Sequence, residues 1–237
     1  FEEIGSPGWY LDANIYAFPV KLAQKFGIKL LFYGEDVNYT YGGEYDEETP
    51  SAILQSKNDV VKPIWEQWFK GGLLSEKDLD SVKQPDPEEI KNSKLEMIYL
   101  SYFVPWNSHH NYEVAKLHGF KHLGHEYTRE SSVDEYDQID SLGYLFNPFL
   151  KYPKFGHSIS TDIASRWIRY GLKTREEMIP FVEKHDGVLD QGTVDKFCEF
   201  TKMSYGEFYS ILDKWYNTEL FERDNDGVWH KKFKVGQ

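Results

Sequence analysis

Residues 28–43 read IKLLFYGEDVNYTYGG, and their order decides the fold class. A short apolar run, Ile28 to Tyr33, has the length of a strand and stops abruptly at Gly34. An acidic pair, Glu35 and Asp36, follows at once, and the Gly42-Gly43 turn comes soon after. Upstream, Leu11, Ile15, Phe18, Leu22 and Phe26 recur at helical spacing, so a helix is expected over Asp12 to Phe26, kinked at Pro19 and ended by Gly27. Helix followed by strand is one step of a layered α/β domain. In open α/β sheets ligands bind beyond the carboxyl ends of the strands, so Glu35 is the leading candidate for chemistry. Strand-end acids also cap helices or bind water, and that plainer reading stays open.

A second step follows. Met97 to Phe103 is expected as a strand ending at Pro105-Trp106. Asn107 or Ser108 then caps a helix to His118, closed by Gly119, and Phe120 to Leu123 resumes extended structure. Between the two steps, Lys57–Lys70, Ser75–Val82 and Pro87–Lys91 read as helices, and Glu44–Pro50 as an acidic loop. Beyond residue 157 the pattern is helical: Ser158–Tyr170, Thr174–Lys184, Thr193–Lys202 and Ser204–Asn217, two of them opened by capping boxes, Thr174 with Glu177 and Ser204 with Glu207. Asp224-Asn225-Asp226-Gly227 is a hairpin turn between Leu220-Phe221 and Val228-Trp229. The reading is a partial layered α/β sheet over 1–127, followed by a mainly helical region over 128–237.

The chain has 237 residues, 40% of them hydrophobic, enough to bury a core. Its formal net charge of −12 argues against nucleic acid and anionic membranes as main partners. No apolar run approaches the length of a membrane span, and the single cysteine, Cys198, excludes an internal disulfide framework within this chain, so a cytoplasmic setting is expected. Cys198, between Phe197 and Phe200, reads as a small buried hydrophobe. Aromatic residues make up 17%, which serves core filling or stacking on sugar rings. His118, His122 and His125 have tempting metal spacing, but Gly119 interrupts the helical face that a site of that kind needs. The Asp224–Gly227 stretch lacks the further ligands of a calcium loop.

Lys154 to Glu177, KFGHSISTDIASRWIRYGLKTREE, is denser in information. Ile159, Ile163, Trp167 and Tyr170 form a buried stripe, with Asp162, Arg166 and Arg169 on the other side at i, i+4 and i+7. Either these are a surface ion pair, or they are a polar stripe whose arginines hold phosphate or carboxylate. Lys154 is likewise a phosphate ligand or a solvated lysine.

Together with GWYLDANIYAFPVKLAQKF, GIKLLFYGEDVNYTYGG, LSYFVPWNSHHNYEVAKLHGF and LFERDNDGVW, that stretch resembles the bacterial N-acetyl sugar amidotransferases, of the ATP-pyrophosphatase group related to asparagine synthetase and the tRNA-thiolating enzymes. The resemblance implies ATP-dependent conversion of an acetamido group on a nucleotide-linked sugar to an acetamidino group, for lipopolysaccharide, O-antigen or other surface glycans. ATP with Mg²⁺ would adenylylate the amide oxygen, and ammonia from a glutaminase subunit, assisted by a synthase-like barrel subunit, would displace AMP. By the same likeness Glu35 orients or deprotonates the nitrogen nucleophile, Lys154 contacts phosphates, and Asp162, Arg166 and Arg169 order the site. Tyr33, Gly34, Asp36, Asn38, Tyr41, Gly42 and Gly43 form the substrate loop, and Trp106 and Asn107 line the sugar pocket. Two departures stand out. The family's Ser-Gly-Gly-x-Asp-Ser phosphate loop and its cysteine-rich zinc segment are absent, so ATP chemistry is expected only from a more complete protein. His157, Ser158 and Ile159 replace a small or aromatic residue followed by Gly-Arg. A non-catalytic module that binds the sugar nucleotide is the alternative.

Overall fold

The computed structural model describes residues 1–34, 49–53, 71–72, 74–122, 124, 129–139 and 142–236. It is mixed α/β, about half helical, with small sheets. Two compact units share the chain: an α/β unit, Trp9–Trp106, and a helical unit made of Phe1–Gly8 with Asn107–Gln237. Elements are numbered below over the described residues.

In the α/β unit, helix α1 (Trp9–Phe26) leads into β1 (Leu30–Tyr33). Short helices α2 (Glu76–Leu79) and α3 (Pro87–Asn92) precede β2 (Glu96–Tyr99). Each short helix starts where its sequence supplies a cap, Ser75 in a capping box with Asp78, and Asp86 accepting from the Glu88 N–H. β1 and β2 pair in parallel, Leu30 opposite Glu96 through Tyr33 opposite Tyr99. Residues 50–52 run along β2 in the opposite sense, with the Ala52 N–H bonded to the Met97 carbonyl at 2.8 Å. The core gathers Val20, Ala23, Tyr33, Ala52, Ile90, Leu95, Met97 and Tyr99.

The buried face of α1 is Ala13, Ala17, Val20 and Ala23, while Leu11, Ile15, Phe18 and Phe26 are exposed. Both faces of the helix are apolar, and the smaller side chains form the one that packs inward. The second strand ends at Tyr99, because Leu100–Tyr102 turns into a 3-10 helix. Residues 120–122 form no strand. The expected helix over Lys57–Lys70 lies outside the described residues.

The helical unit starts with α4 (Ser108–Leu117), capped by Asn107. Then come α5 (Leu142–Phe149) and α6 (Lys151–Phe155), neither visible in the sequence pattern, each with a proline inside. Helices α7 (Ile159–Arg169), α8 (Arg175–His185), α9 (Gln191–Thr201) and α10 (Tyr205–Asp213) follow the expected helical segments, and both capping boxes form. The terminal hairpin pairs β3 (Phe221–Arg223) with β4 (Trp229–Lys231) antiparallel. Its turn is held by Asp224, whose Oδ1 accepts from the Asp226 and Val228 N–H groups and whose Oδ2 meets His230, as expected for a plain turn. One core contains Phe146, Phe149, Leu150, Val194, Phe208 and Leu212, with Cys198 buried among them. Phe1 completes it, its ring stacked on Phe208 at 5.4 Å. A second cluster, Ala164, Met178 and Val182, seats α7 on α8.

Candidate functional site

The helical unit concentrates polar side chains around α6, α7 and the segment 129–139. Gly156, left-handed at φ 79°, ends α6 and turns the chain into α7. The α7 N-terminus is closed by Asp186, which accepts from the Thr161 N–H (3.0 Å), the Thr161 hydroxyl and the Ser158 hydroxyl (both 2.7 Å). That end of the helix is thereby satisfied from within.

The polar side of α7 divides its partners. Asp162 takes the Lys151 ammonium at 2.9 Å, and His157 lies 3.8 Å from its other oxygen. All three side chains are about 40% exposed. Arg166 turns to Asp137 at 2.5 Å and is largely buried. Burial works against its charge, but the Asp137 carboxylate outweighs it and raises the guanidinium pKa. The Asp162–Arg166 pair that i, i+4 spacing allows is replaced by two longer-range pairs. Arg169 occupies the exposed end of the helix.

Lys154 points elsewhere. Its ammonium donates to the Gly5 carbonyl at 3.1 Å and lies 5.8 Å from the Trp215 ring. Burial, and then the neighbouring Lys151, lower its pKa. Of the two lysines, Lys151 is the one carried beside Asp162, and nothing in the sequence pattern singled it out.

The segment 129–139 is pinned from several sides. Asp190 accepts from the Glu130 N–H at 2.8 Å and from the Ser131 hydroxyl. Ser160 of α7 donates to the Ser131 carbonyl at 3.0 Å, and His185 contacts the Glu130 carbonyl. Tyr136 stacks on Tyr112 of α4, centroids 4.1 Å apart, and accepts from the Trp167 indole. Within the segment, Asp134 accepts from the Asp137 N–H at 3.3 Å and from Arg129 at 3.5 Å. Both side chains are buried, and burial, reinforced by Asp137, pushes the Asp134 carboxyl up to about 6. Leaving a buried donor unpaired costs about 1–3 kcal/mol, more when it is charged, so this region is expensive to assemble. Sequence reading missed it because acids and serines in a loop carry no period.

The remaining expected site residues are placed as follows. Tyr33 is a core residue of the α/β unit, its ring 6.0 Å from Tyr99. Gly34 is exposed directly after β1, and Trp106 is exposed at the end of the unit. Asn107 uses its side-chain oxygen to cap α4, accepting from the His110 N–H at 2.9 Å. Glu35, Asp36, Asn38, Tyr41, Gly42 and Gly43 lie outside the described residues. So does His125, while His118 closes α4 and His122 lies 3.2 Å from Glu135. Among the described residues no group of three or more His, Cys, Asp or Glu side chains converges as metal ligands, and no helix is long and apolar enough to cross a membrane.

No curated protein matches the chain. Residues 127–234 match the family model described as "LPS biosynthesis protein WbpG-like, C-terminal domain". The match takes in a little under half of the chain and includes α5 to α10, the segment 129–139 and the final hairpin. The bulk of the helical unit is therefore similar to a domain of lipopolysaccharide biosynthesis.

Proposed function

We propose that the chain is part of an ATP-dependent N-acetyl sugar amidotransferase acting on a nucleotide-linked sugar in lipopolysaccharide or O-antigen biosynthesis. The observation that carries this reading is the family match over 127–234, which coincides with the region holding Lys151, Asp162 and Arg166. The acetamido oxygen attacks the α-phosphorus of ATP and pyrophosphate leaves. Ammonia then adds to the activated carbon, AMP departs with the oxygen, and the excess proton passes to a base. An amide oxygen leaves only after such activation, so the step needs neutralised phosphate charge and a proton acceptor.

In this reading Glu35 receives the proton from the nitrogen nucleophile. The accessible Lys151 ammonium, beside Asp162, joins Lys154 as a candidate for phosphate contact. Arg166 and Arg169 order the anionic part of the substrate. Mg²⁺ would accompany ATP and offset the charge of its phosphates; among the described residues no three His, Cys, Asp or Glu side chains converge to hold it. A glutaminase subunit with a barrel-shaped partner would supply the ammonia.

The full-length protein, given ATP, Mg²⁺, ammonia and a UDP-linked N-acetyl sugar, should release pyrophosphate and yield an amidine detectable by mass spectrometry. Glu35→Gln should abolish amidine formation, and a wild-type rate in that variant overturns the role of Glu35. Sugar-nucleotide binding with no pyrophosphate release would instead mark a binding module.

A further inference from the structure

Arg129 is the most under-satisfied charged side chain among the described residues. Only 1% of its side chain is exposed, and its one partner, Asp134 Oδ1, is 3.5 Å from Nη1. Nε and Nη2 are sealed from solvent and have no hydrogen-bond partner. These two nitrogens lie on one edge of the planar guanidinium, the edge that grips two oxygens of a carboxylate or phosphate side by side. Arginine stays charged at any ordinary pH, so burial cannot be relieved by deprotonation. Beside it, Asp134 Oδ2 is also buried and unpartnered. Buried polar groups are nearly always satisfied, and a whole empty fork is a departure that asks for an occupant.

The fork is held firmly. Directly after Arg129 the chain is tied to Asp190 through Glu130 and Ser131, and to Ser160 of α7 through the Ser131 carbonyl. On the other side, Asp137 connects the segment to Arg166. These ties fix the backbone next to Arg129, and burial restricts its side chain, so less freedom remains to be lost on bidentate recognition.

We propose that the Nε–Nη2 edge of Arg129 is a binding fork for a tetrahedral oxyanion of the phosphate class. A carboxylate would fill the two N–H donors only. A phosphoryl group brings further oxygens and more negative charge to a buried guanidinium whose only acceptor, Asp134 Oδ1, is 3.5 Å away. The site stands on this geometry, and it rests on the function proposed above only for its natural source, the diphosphate of a nucleotide-linked sugar rather than free phosphate. Because the fork is closed from solvent, entry requires the 129–139 segment to open, and association is slow.

Sulfate is the first probe, because its charge is constant across the pH range that matters. Isothermal titration and thermal unfolding of the protein at fixed ionic strength should show saturable sulfate binding, with phosphate and pyrophosphate binding at the same site and acetate at least tenfold weaker. A UDP-linked sugar that competes with sulfate identifies the sugar nucleotide as the source, whereas competition by inorganic phosphate alone assigns the fork to free phosphate. Arg129→Lys, which keeps the charge and loses the fork, should weaken sulfate at least tenfold. Should that variant fail to fold, the Arg129 Nε–H resonance of the wild-type protein must still shift with sulfate. Asp134 faces Arg129, Tyr136 and Asp137 from its own segment and Arg166 from α7, and protonating it removes a negative charge from the fork. Sulfate should therefore bind more tightly at pH 5.5 than at pH 7.5, and Asp134→Asn should flatten that dependence. Absence of saturable binding in the wild-type protein at either pH, or equal affinity in Arg129→Lys, overturns the proposal. Sulfate is neither a substrate nor a product of amidine formation, so this outcome is independent of the enzymatic assay.

Discussion

Asp12 lies in the first turn of α1, where a carboxylate ordinarily gains from the helix N-terminus. Burial outweighs that gain and pushes its pKa up to about 6. A carboxyl whose pKa is higher folded than unfolded favours the native state when protonated. Its contribution is present in full below about pH 4 and is lost as pH rises through about 6. Asp12→Asn removes the ionisation and should raise the unfolding midpoint at pH 7.5 while leaving it nearly unchanged at pH 4. Because the side chain is partly solvated, the gain is about 1–2 kcal/mol, or roughly 2–8 °C in the midpoint. A variant destabilised at pH 7.5 would show that Asp12 makes a contact worth more than its desolvation. Lys154 shows the same competition with the opposite sign, since burial there disfavours the charged ammonium. None of these shifts is legible in a sequence, because each depends on what the fold brings near the group.

At the scale of elements, α1 shows that periodicity can locate a helix without deciding which of two apolar faces packs inward. The spacing of Leu11, Ile15, Phe18 and Phe26 finds the helix, but Ala17 and Val20 are the residues with no exposed surface. Small side chains let a backbone approach its neighbours closely, and here they outrank larger ones in deciding what is buried. Phe18→Glu should change stability by less than about 0.5 kcal/mol, whereas Ala17→Leu should cost about 1–3 kcal/mol through overpacking. Urea unfolding of the two variants checks both. The reverse ranking would restore the large stripe to the interior. Elements announced by local chemistry were readable in advance: the capping boxes at Thr174 and Ser204, and the hairpin turn at Asp224. Helices α5 and α6 were not, because prolines at 148 and 153 argue against helix in any local reading. The same holds for the site: the polar stripe of α7 could be seen in the sequence, while its partners Lys151 and Asp137 come from other elements.

At the scale of the whole molecule, the helical unit is discontinuous in sequence, with Phe1–Gly8 returning to it across the intervening α/β unit. Gly5 marks how tightly the segment is seated. Its φ is +60°, and a Cβ there would come within 2.7 Å of the Trp215 ring. Gly5→Ala should therefore cost about 2 kcal/mol or more, from backbone conformation and from displacement of Trp215 together. Loss of the contact can be followed by tryptophan fluorescence during unfolding, and a neutral substitution would mean that the segment is not docked. Ser6 strengthens the attachment with a 2.7 Å bond to Asn147. Sequence reading saw no role for residues 1–8 because a single aromatic and two glycines carry no period.

The stacked rings of Phe1 and Phe208 also set a timetable for synthesis. A ribosome adds about 5–20 residues per second, so Phe208 follows Phe1 by roughly 10–40 s. Through that interval Phe1 has no partner from α10, and the aromatic core it completes cannot close. The α/β unit, whose strands lie within the first hundred residues, can finish first on the emerging chain. Completion of the helical unit is then a late, long-range event, of the kind that folds slowly and leaves apolar surface exposed to chaperones in the meantime.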